Sequence, residues 1–138
     1  MRITKQLSIF LENRLSGLAK ICAVLSEAEI NITALTIHDT VDHAIVRLIP
    51  DKHIKALLLL EQEGMHIVEQ DVVVMDLDNK PGALASVVEK LARADISIDY
   101  AYCTASERQS FGCIVLKTSN IHQALELLRR DILGENFN

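Results

Sequence analysis

Residues 12–37, ENRLSGLAKICAVLSEAEINITALTI, and residues 78–103, DNKPGALASVVEKLARADISIDYAYC, are two copies of one pattern, and this repeat decides the fold. At a spacing of 66 positions, seven of these 26 residues are identical between the copies. The similarity continues downstream, where AIVRLIPDKHIKALLLL (44–60) matches GCIVLKTSNIHQALELL (112–128) after a two-residue difference in length. Self-similarity of this extent indicates that one structural unit is present twice.

The succession of hydrophobic periods is the same in both copies. Alternating residues in QLSIFL (6–11) and DVVVMDL (71–77) predict a first strand. Apolar residues at helical spacing then predict an amphipathic helix, and two further strands form a hairpin before a second helix. In the first helix of each copy, the residues expected to face the core are Leu18, Ile21, Leu25 and Ala28, and then Leu84, Val87, Leu91 and Ala94.

The element order of each copy is therefore βαββαβ. The segment MHIV (65–68) supplies the fourth strand of the first copy, whereas only DILGENFN (131–138) follows the last helix of the second copy. We predict an α+β protein with two tandem ferredoxin-like domains, residues 1–70 and 71–138. Each domain places its helices on one face of an antiparallel sheet, and the second copy is truncated at its last strand.

The ends of the second helices carry their own signals. Asp51 and Ser119 stand at equivalent positions just before these helices, where a short oxygen-bearing side chain can accept hydrogen bonds from first-turn amides. Gly64 is placed to end the second helix of the first copy. We expect both helices to be capped in the same way.

Composition excludes several classes of function. With 49% hydrophobic residues and a mean hydropathy of +0.21, the chain of 138 residues is expected to be globular. Its formal charge of −5, with no run of basic residues, argues against nucleic acid and anionic membranes as partners. No apolar stretch approaches the ~20 residues that span a bilayer, and the N-terminus does not resemble a signal peptide. We expect a cytoplasmic protein.

The sequence shows no constellation for catalysis, metal binding or cofactor binding. Cys22, Cys103 and Cys113 form no CxxC pair and are interpreted as reduced packing residues. Since Cys103 and Cys113 could lie close together on one hairpin, a redox role is the alternative. The five histidines are scattered without metal-ligand spacing, and no triad, P-loop or dinucleotide fingerprint is present. We therefore expect a protein that is not an enzyme.

The sheet face away from the helices is the predicted interaction surface. It is too apolar to be fully solvated, so either the two sheets stack or a second chain covers it, and we predict a homodimer. Ordinary surface apolarity is the alternative. The residues expected on this face are Phe10, Ile45, Arg47, Ile49, Tyr102, Cys113, Val115 and Lys117.

One polar element occurs in both copies, the turn that enters the first helix. It reads NRLSGL (13–18) in the first copy and NKPGAL (79–84) in the second. Pro81 and Gly82 suit a tight turn, and the helix start offers unpaired amides and a partial positive charge. A carboxylate would fit there. A purely structural strand-to-helix turn is the alternative that the turn alone favours.

At these residues the sequence resembles the ACT domain, a small ligand-binding module attached to many enzymes and regulators of amino-acid metabolism. The resemblance covers nearly the whole chain as two copies. It depends on the turns DNKPGALA (78–85) and ENRLSGLA (12–19), on the amphipathic helix, and on the segments AEINI (28–32) and ADISI (94–98). The first copy departs from the family pattern because it lacks the Pro-Gly pair.

The resemblance implies an amino acid bound between paired domains, with the turn of one domain facing the second-strand region of another. Asn13 and Asn79 would then be polar contacts, since an asparagine side chain both donates and accepts hydrogen bonds. Serine-binding members have a histidine two residues before the turn asparagine, where this sequence has Leu11 and Leu77. A more apolar amino acid is thus at least as plausible as serine. The implied ligand-binding residues are Leu11, Asn13, Arg14, Leu15, Ser16, Gly17, Leu18, Asn31, Ile32, Leu77, Asn79, Lys80, Pro81, Gly82, Ala83, Leu84, Ser97 and Ile98.

Two functions are compatible with this resemblance. The first is a non-catalytic regulatory protein of amino-acid metabolism, in which an amino acid held between ACT domains shifts an assembly or docking equilibrium. The second is an interaction subunit that binds no small molecule and docks on a biosynthetic enzyme. Because the turn of the first copy is degraded, we expect the two copies to differ in binding.

Overall fold

The computed structural model describes residues 1–12 and 14–132. The chain divides into two compact units. The first unit is Lys5–Gln70, and the second unit runs from Asp71 onward and also includes Met1–Thr4. Met1–Thr4 thus group with the second copy, unlike in the predicted division into residues 1–70 and 71–138.

The described residues form six strands and four helices, and the predicted α+β class with tandem ferredoxin-like units is confirmed. The elements are β1 (Arg2–Leu11), α1 (Arg14–Glu27), β2 (Ile32–Asp39), β3 (Ala44–Pro50), α2 (His53–Gln62), β4 (His66–Asp78), α3 (Ala83–Arg93), β5 (Ile98–Ala105), β6 (Phe111–Thr118) and α4 (Ile121–Ile132). Antiparallel pairing joins β1 to β3, β2 to β3, β4 to β6 and β5 to β6. Each unit contains a part of β1 and a part of β4, so the strand order is β2-β3-β1-β4 in the first unit and β1-β4-β6-β5 in the second.

Each unit has its own hydrophobic core between its helices and one face of its strands. In the first core, Leu7 and Ile9 of β1 pack with Ile21 of α1 and Leu60 of α2, all fully buried. Complete burial of a side chain of this size contributes about 1.5–3 kcal/mol. The predicted core positions Ile21 and Leu25 are therefore confirmed.

The second core is built from the equivalent positions, with one exception. Val87 and Leu91 of α3 are buried against Val73 of β4 and Leu116 of β6, as the periodicity predicts. Leu84, however, is 44% exposed, so its prediction as a core residue was wrong. Leu84 lies in the first turn of α3, beside the turn that precedes the helix.

The strand β4 continues from the first unit into the second. The segments predicted as two separate strands form one strand of 13 residues, His66–Asp78, because no turn residue interrupts them. The predicted truncation of the last strand concerns residues after α4, and residues 133–138 lie outside the part of the chain that the structure describes. Met1–Thr4 belong to the second unit, where Met1 and Ile3 pack against its core. The beginning of β1 thus completes the unit at the other end of the chain.

The two residues predicted as helix caps have a different role. The Asp51 carboxylate accepts a hydrogen bond from the Asn31 amide at 3.1 Å, and the Asp51 amide donates to the Asn31 carbonyl at 3.0 Å. Ser119 makes the same pair of bonds with Ser97, at 3.1 and 3.0 Å. The prediction of N-caps was wrong because these side chains join the end of one strand to the beginning of its neighbour.

Residues other than Asp51 and Ser119 stand directly before α2 and α4. The Asn120 side chain accepts a hydrogen bond from the Gln123 amide at 3.1 Å and caps α4. Lys52 precedes α2 and makes no side-chain cap bond. Gly64, at φ +81°, follows the end of α2 as predicted, since this left-handed conformation favours glycine.

The sheet face away from the helices is more polar at its centre than the alternation suggested. Gln6 and Ser8 of β1 are buried there and form a cluster with Gln70. The side-chain amide of Gln6 donates to the Ser8 hydroxyl at 3.1 Å, and that hydroxyl donates to the Gln70 side-chain oxygen at 3.1 Å. Ile49 and Val115 are already buried within the chain. The other residues predicted on this face are half-buried: Phe10, Ile45, Arg47, Tyr102, Cys113 and Lys117.

Candidate functional site

In the second unit, the turn before α3 contains a glycine in the left-handed backbone conformation. Residues 79–82 connect β4 to α3, and Gly82 stands directly before the helix with φ +88°. Pro81 has a fixed φ and no N–H to satisfy, while the left-handed conformation at Gly82 is readily available only to glycine. Gly82 contributes no side-chain cap to the helix. The helix start is therefore open rather than capped by its own sequence.

Some backbone N–H groups of this turn already donate hydrogen bonds within the protein. The Asn79 amide donates to the Ser110 carbonyl at 2.9 Å, and the Lys80 amide donates to the Asp78 carbonyl at 3.0 Å. The Ala83 amide makes a longer bond, 3.3 Å, to the Lys80 carbonyl. These bonds fix the shape of the turn.

Three N–H groups at the start of α3 remain available. None of the described residues accepts a hydrogen bond from the backbone amides of Gly82, Leu84 and Ala85. They belong to the first four N–H groups of the helix, which have no partner within it, and the helix dipole adds a partial positive charge of about half an elementary charge. This group of amides can bind a carboxylate.

A small cavity of about 170 Å³ lies beside this helix start, and of the three residues with available amides Leu84 lines it. It is smaller than the ~300–1,000 Å³ of pockets for drug-sized ligands, so its size suits a molecule no larger than an amino acid. Its walls come from the end of β4, the turn, the first turn of α3 and the hairpin of β5 and β6. The lining residues are Leu77, Asp78, Asn79, Lys80, Ala83, Leu84, Cys103, Thr104, Ala105 and Gly112.

A close approach of two strands forms the far wall of this cavity. A Cβ atom at Gly112 would lie 2.5 Å from the Thr104 carbonyl oxygen and 3.2 Å from the Ala105 side chain. Glycine in the interior of a strand often marks such an approach. Four of these residues, Cys103, Thr104, Ala105 and Gly112, were not predicted from the sequence as part of the site, although a glycine inside a predicted strand is the signal that could have identified them.

The side chain of Asn79 is held by the protein itself. Its amide group donates to the Ser106 carbonyl at 3.0 Å and to the Gln109 carbonyl at 3.1 Å. Both donors are thus occupied, while its oxygen accepts no hydrogen bond from the described residues. Asn79 lines the cavity, and the oxygen is the part of its side-chain amide that is available to a ligand.

Lys80 brings a positive charge to the mouth of the cavity. Its ammonium lies 3.6 Å from the Asp78 carboxylate, and the two side chains are 68% and 54% exposed. An exposed pair at this distance is weak and screened by salt. Lys80 is therefore able to exchange this partner for the carboxylate of a ligand.

The first unit does not reproduce this turn. Asn13 lies outside the described residues, and α1 already begins at Arg14. The residues Leu15, Ser16, Gly17 and Leu18 are therefore part of a helix, and their prediction as a turn was wrong. No proline interrupts this segment, and Gly17 does not adopt a positive φ.

Leu11 fills the space that is open in the second unit. A Cβ atom at Gly17 would lie 2.9 Å from the Leu11 Cδ2, so the leucine packs directly on the helix backbone. Leu11 is 6% exposed, whereas Leu77 at the equivalent position is half-buried and lines the cavity. The two copies thus differ in packing at this position, and the difference in binding stays a prediction.

Asn31, Ile32, Ser97 and Ile98, which the resemblance implies for a wall that faces the turn from another domain, line other cavities of their own units. Ser97 and Ile98 line a second cavity of about 430 Å³ together with Asp95, and Asn31 and Ile32 line its equivalent in the first unit. Both cavities adjoin a left-handed residue, Asp95 at φ +59° and Glu29 at φ +58°. Pro81 and Gly82 shape the turn but do not line its cavity.

The cysteines are not placed for a disulfide. Cys103 is in register with Ile114, whereas Cys113 is in register with Thr104, so the two thiols lie on opposite faces of the sheet. Burial, and then the nearby Asp76 carboxylate, raises the pKa of Cys113. The alternative of a redox pair on this hairpin is therefore excluded.

Two further findings concern the described part of the chain. Its histidine, cysteine and acidic side chains form no group of three that could hold a metal ion. None of its helices has the length and apolarity needed to cross a membrane.

Comparison with known proteins identifies relatives of this architecture. A family model described as an ACT domain pair matches residues 1–135. The solved structure of protein BT0572 from Bacteroides thetaiotaomicron is 34% identical, with a TM-score of 0.87 over 94% of this chain and 88% of that one. The ligand-free regulatory subunit of aspartate kinase from Thermus thermophilus is 14% identical, with a TM-score of 0.70 over 94% and 97% of the two chains. No curated protein sequence matches the chain.

Proposed function

This chain belongs to the ACT domain pair family, and on that premise we propose that it is a non-catalytic regulatory protein that binds a free amino acid at the turn of its second unit. The observation that carries the proposal is that the start of α3 has unpaired amides and that one of these residues, Leu84, lines a small cavity. The solved aspartate kinase regulatory subunits have the same fold, and we infer a comparable role in the control of amino-acid metabolism.

The site has a complementary group for each end of an amino acid. The carboxylate binds the amide of Leu84, which lines the cavity, next to the amides of Gly82 and Ala85 at the same helix start and with Lys80 as a counter-charge. The ammonium group donates to the side-chain oxygen of Asn79. Charge-assisted hydrogen bonds of this kind are about twice as strong as neutral ones.

The cavity walls favour an aliphatic side chain. Leu77, Ala83, Leu84 and Ala105 present hydrocarbon to the cavity, and Cys103 adds a weakly polar thiol. A polar side chain buried there would lose hydrogen bonds to water that these residues do not replace. We therefore propose a small aliphatic amino acid rather than serine as the ligand.

A thermal-shift screen with the twenty amino acids tests this function. A ligand that binds only the native state at a hundredfold excess over Kd stabilises it by about 2.7 kcal/mol, which raises Tm by several degrees. We expect small aliphatic amino acids to give the largest shifts. If no amino acid at millimolar concentration moves the transition, the binding function is refuted.

The second candidate, a docking subunit for a biosynthetic enzyme, is favoured by one surface. Ile54 and Leu58, one turn apart on α2, are 65% and 55% exposed beside an open groove that Lys52 and Lys55 flank. Exposed apolar surface on a helix is typical of interaction sites. This second function would be supported if no amino acid shifted the Tm of the protein and if the substitution Ile54→Ser abolished its binding to an enzyme partner.

We also propose that the protein is a homodimer, formed through the sheet face away from the helices, where Phe10 and Ile45 are half-buried in the first unit and Tyr102 is half-buried in the second. Light scattering at micromolar concentration should give a mass of about twice the 15.4 kDa of one chain. A species of one chain's mass at that concentration would refute the dimer without affecting the proposed ligand site.

A further inference from the structure

The hydrogen bonds of Asn79 point to a role beyond ligand contact. We propose that Asn79 is a positioning residue that fastens the β5–β6 loop, residues 106–110, and so keeps the wall of the neighbouring cavity in place. The part of this inference that concerns ligand binding rests on the proposed function. The part that concerns the loop stands independently of any ligand.

Asn79 makes three hydrogen bonds to this loop from a single residue. Its backbone amide donates to the Ser110 carbonyl at 2.9 Å, and its side-chain amide donates to the carbonyls of Ser106 at 3.0 Å and Gln109 at 3.1 Å. Both ends of the loop are thereby connected to the turn before α3.

The loop has little else to hold it. All five residues of 106–110 are exposed. Within the loop, the Gln109 amide donates to the Ser106 carbonyl at 3.0 Å, and the Arg108 amide donates to the Ser106 hydroxyl at 3.3 Å. Among the described residues, every hydrogen bond that leaves the loop ends on Asn79. A segment with few buried contacts and exposed backbone has low local stability unless such bonds retain it.

The equivalent hairpin of the first unit has hydrogen bonds between residues of its own turn. The Thr40 amide donates to the His43 carbonyl at 2.9 Å, and the Thr40 hydroxyl accepts from the His43 amide at 3.2 Å. The loop of the second unit is longer, and it is bonded to a residue 27 to 31 positions away.

The loop is continuous with the cavity wall. Ala105 precedes it and Gly112 follows Phe111 at its other end, and both line the cavity together with Asn79. Release of the loop would therefore loosen the wall opposite the helix start. Asn79 contributes to the site through the donors of its side chain, by holding this wall.

Substitution by aspartate separates this role from a direct contact. Asn79→Asp retains an oxygen that can accept a hydrogen bond from an ammonium group, but a carboxylate cannot donate to the two loop carbonyls. Asn79→Ala removes both functions. Ser106→Ala is the matched control, since it removes a bond within the loop and leaves the Ser106 carbonyl for Asn79.

Hydrogen exchange of residues 106–111, followed by mass spectrometry, provides the readout of the loop. We expect exchange to be about tenfold faster in Asn79→Asp and Asn79→Ala than in the wild type and Ser106→Ala, with the first hairpin unchanged in all four proteins. Equal exchange in the wild type and Asn79→Asp would overturn the positioning role.

A thermal-shift measurement with an equimolar mixture of the twenty amino acids tests the link to binding. We expect the shift of the wild type and Ser106→Ala to be lost in Asn79→Asp. An Asn79→Asp variant that retains the wild-type shift would show that the side-chain donors do not matter to the site. If the wild type shows no shift while its loop still depends on Asn79, the proposed function fails and the positioning role stands.

Discussion

The carbonyl oxygen of Thr104 lies only 2.5 Å from the point that a Cβ atom at Gly112 would occupy. The neighbouring atom belongs to the backbone of β5 and cannot move aside without shifting the strand. Gly112 is therefore required by the packing of the hairpin that walls the candidate site.

Gly112→Ala should destabilise the protein and weaken ligand binding together. Forcing a methyl group into this contact costs about 1–3 kcal/mol, measured as a lower free energy of unfolding in urea. Gly17→Ala is the comparison, because its Cβ would meet the side chain of Leu11, which can move, and alanine gains about 0.5–1 kcal/mol in a helix. Equal losses in the two variants would contradict this distinction between backbone and side-chain contact.

Lys80→Ala should affect binding without affecting folding. The Lys80–Asp78 pair is exposed and 3.6 Å long, so its loss should change the free energy of unfolding by less than about 0.5 kcal/mol. The affinity for an amino acid should fall, and the difference from the wild type should shrink as salt is added, since salt screens the lysine charge. An affinity independent of both substitution and salt would remove Lys80 from the site.

The fold was predictable from the sequence because the same periods occur twice in the same order. Strand alternation and helical spacing identified core residues such as Ile21 and Val87 correctly, since burial depends on which face a residue occupies. The sharing of β1 between the units was not predictable. It depends on Met1 and Ile3 packing against a core formed far along the chain, and no local pattern records that contact.

The candidate site was predictable only in part. The Pro81-Gly82 pair identified the turn, because proline and glycine favour the backbone conformations that a tight turn requires. The wall was missed because it comes from a different hairpin, whose position depends on tertiary hydrogen bonds such as those of Asn79. In the first copy, the segment before α1 was wrongly predicted to be a turn. Two equivalent positions in a repeat adopt the same conformation only when their residues allow it, and the first copy has no glycine with a positive φ there.

Leu77→His should change ligand preference toward a polar amino acid. Leu77 lines the cavity and is half-buried, so a histidine there introduces a donor and an acceptor where the wall is now hydrocarbon. Compared with the wild type, the thermal shift with serine should increase relative to that with aliphatic amino acids. Leu11→His is the control, because Leu11 is buried against Gly17, and it should lower stability without altering preference. The same ligand order in Leu77→His and the wild type would place the ligand side chain elsewhere.

Cys113 should be the least reactive of the three thiols near neutral pH. Burial and the Asp76 carboxylate raise its pKa, so its thiolate fraction is lower than that of an unperturbed thiol, whereas Cys22 and Cys103 are exposed. Iodoacetamide labelling followed by peptide mass spectrometry should modify Cys113 last. Because the folded state holds this proton more tightly than the unfolded state, its contribution to stability is present below the ordinary thiol pKa and declines as the pH rises through the raised value. Cys113→Ser should reduce that alkaline loss of stability, and an alkaline limb that is unchanged in the variant would show that another group causes it.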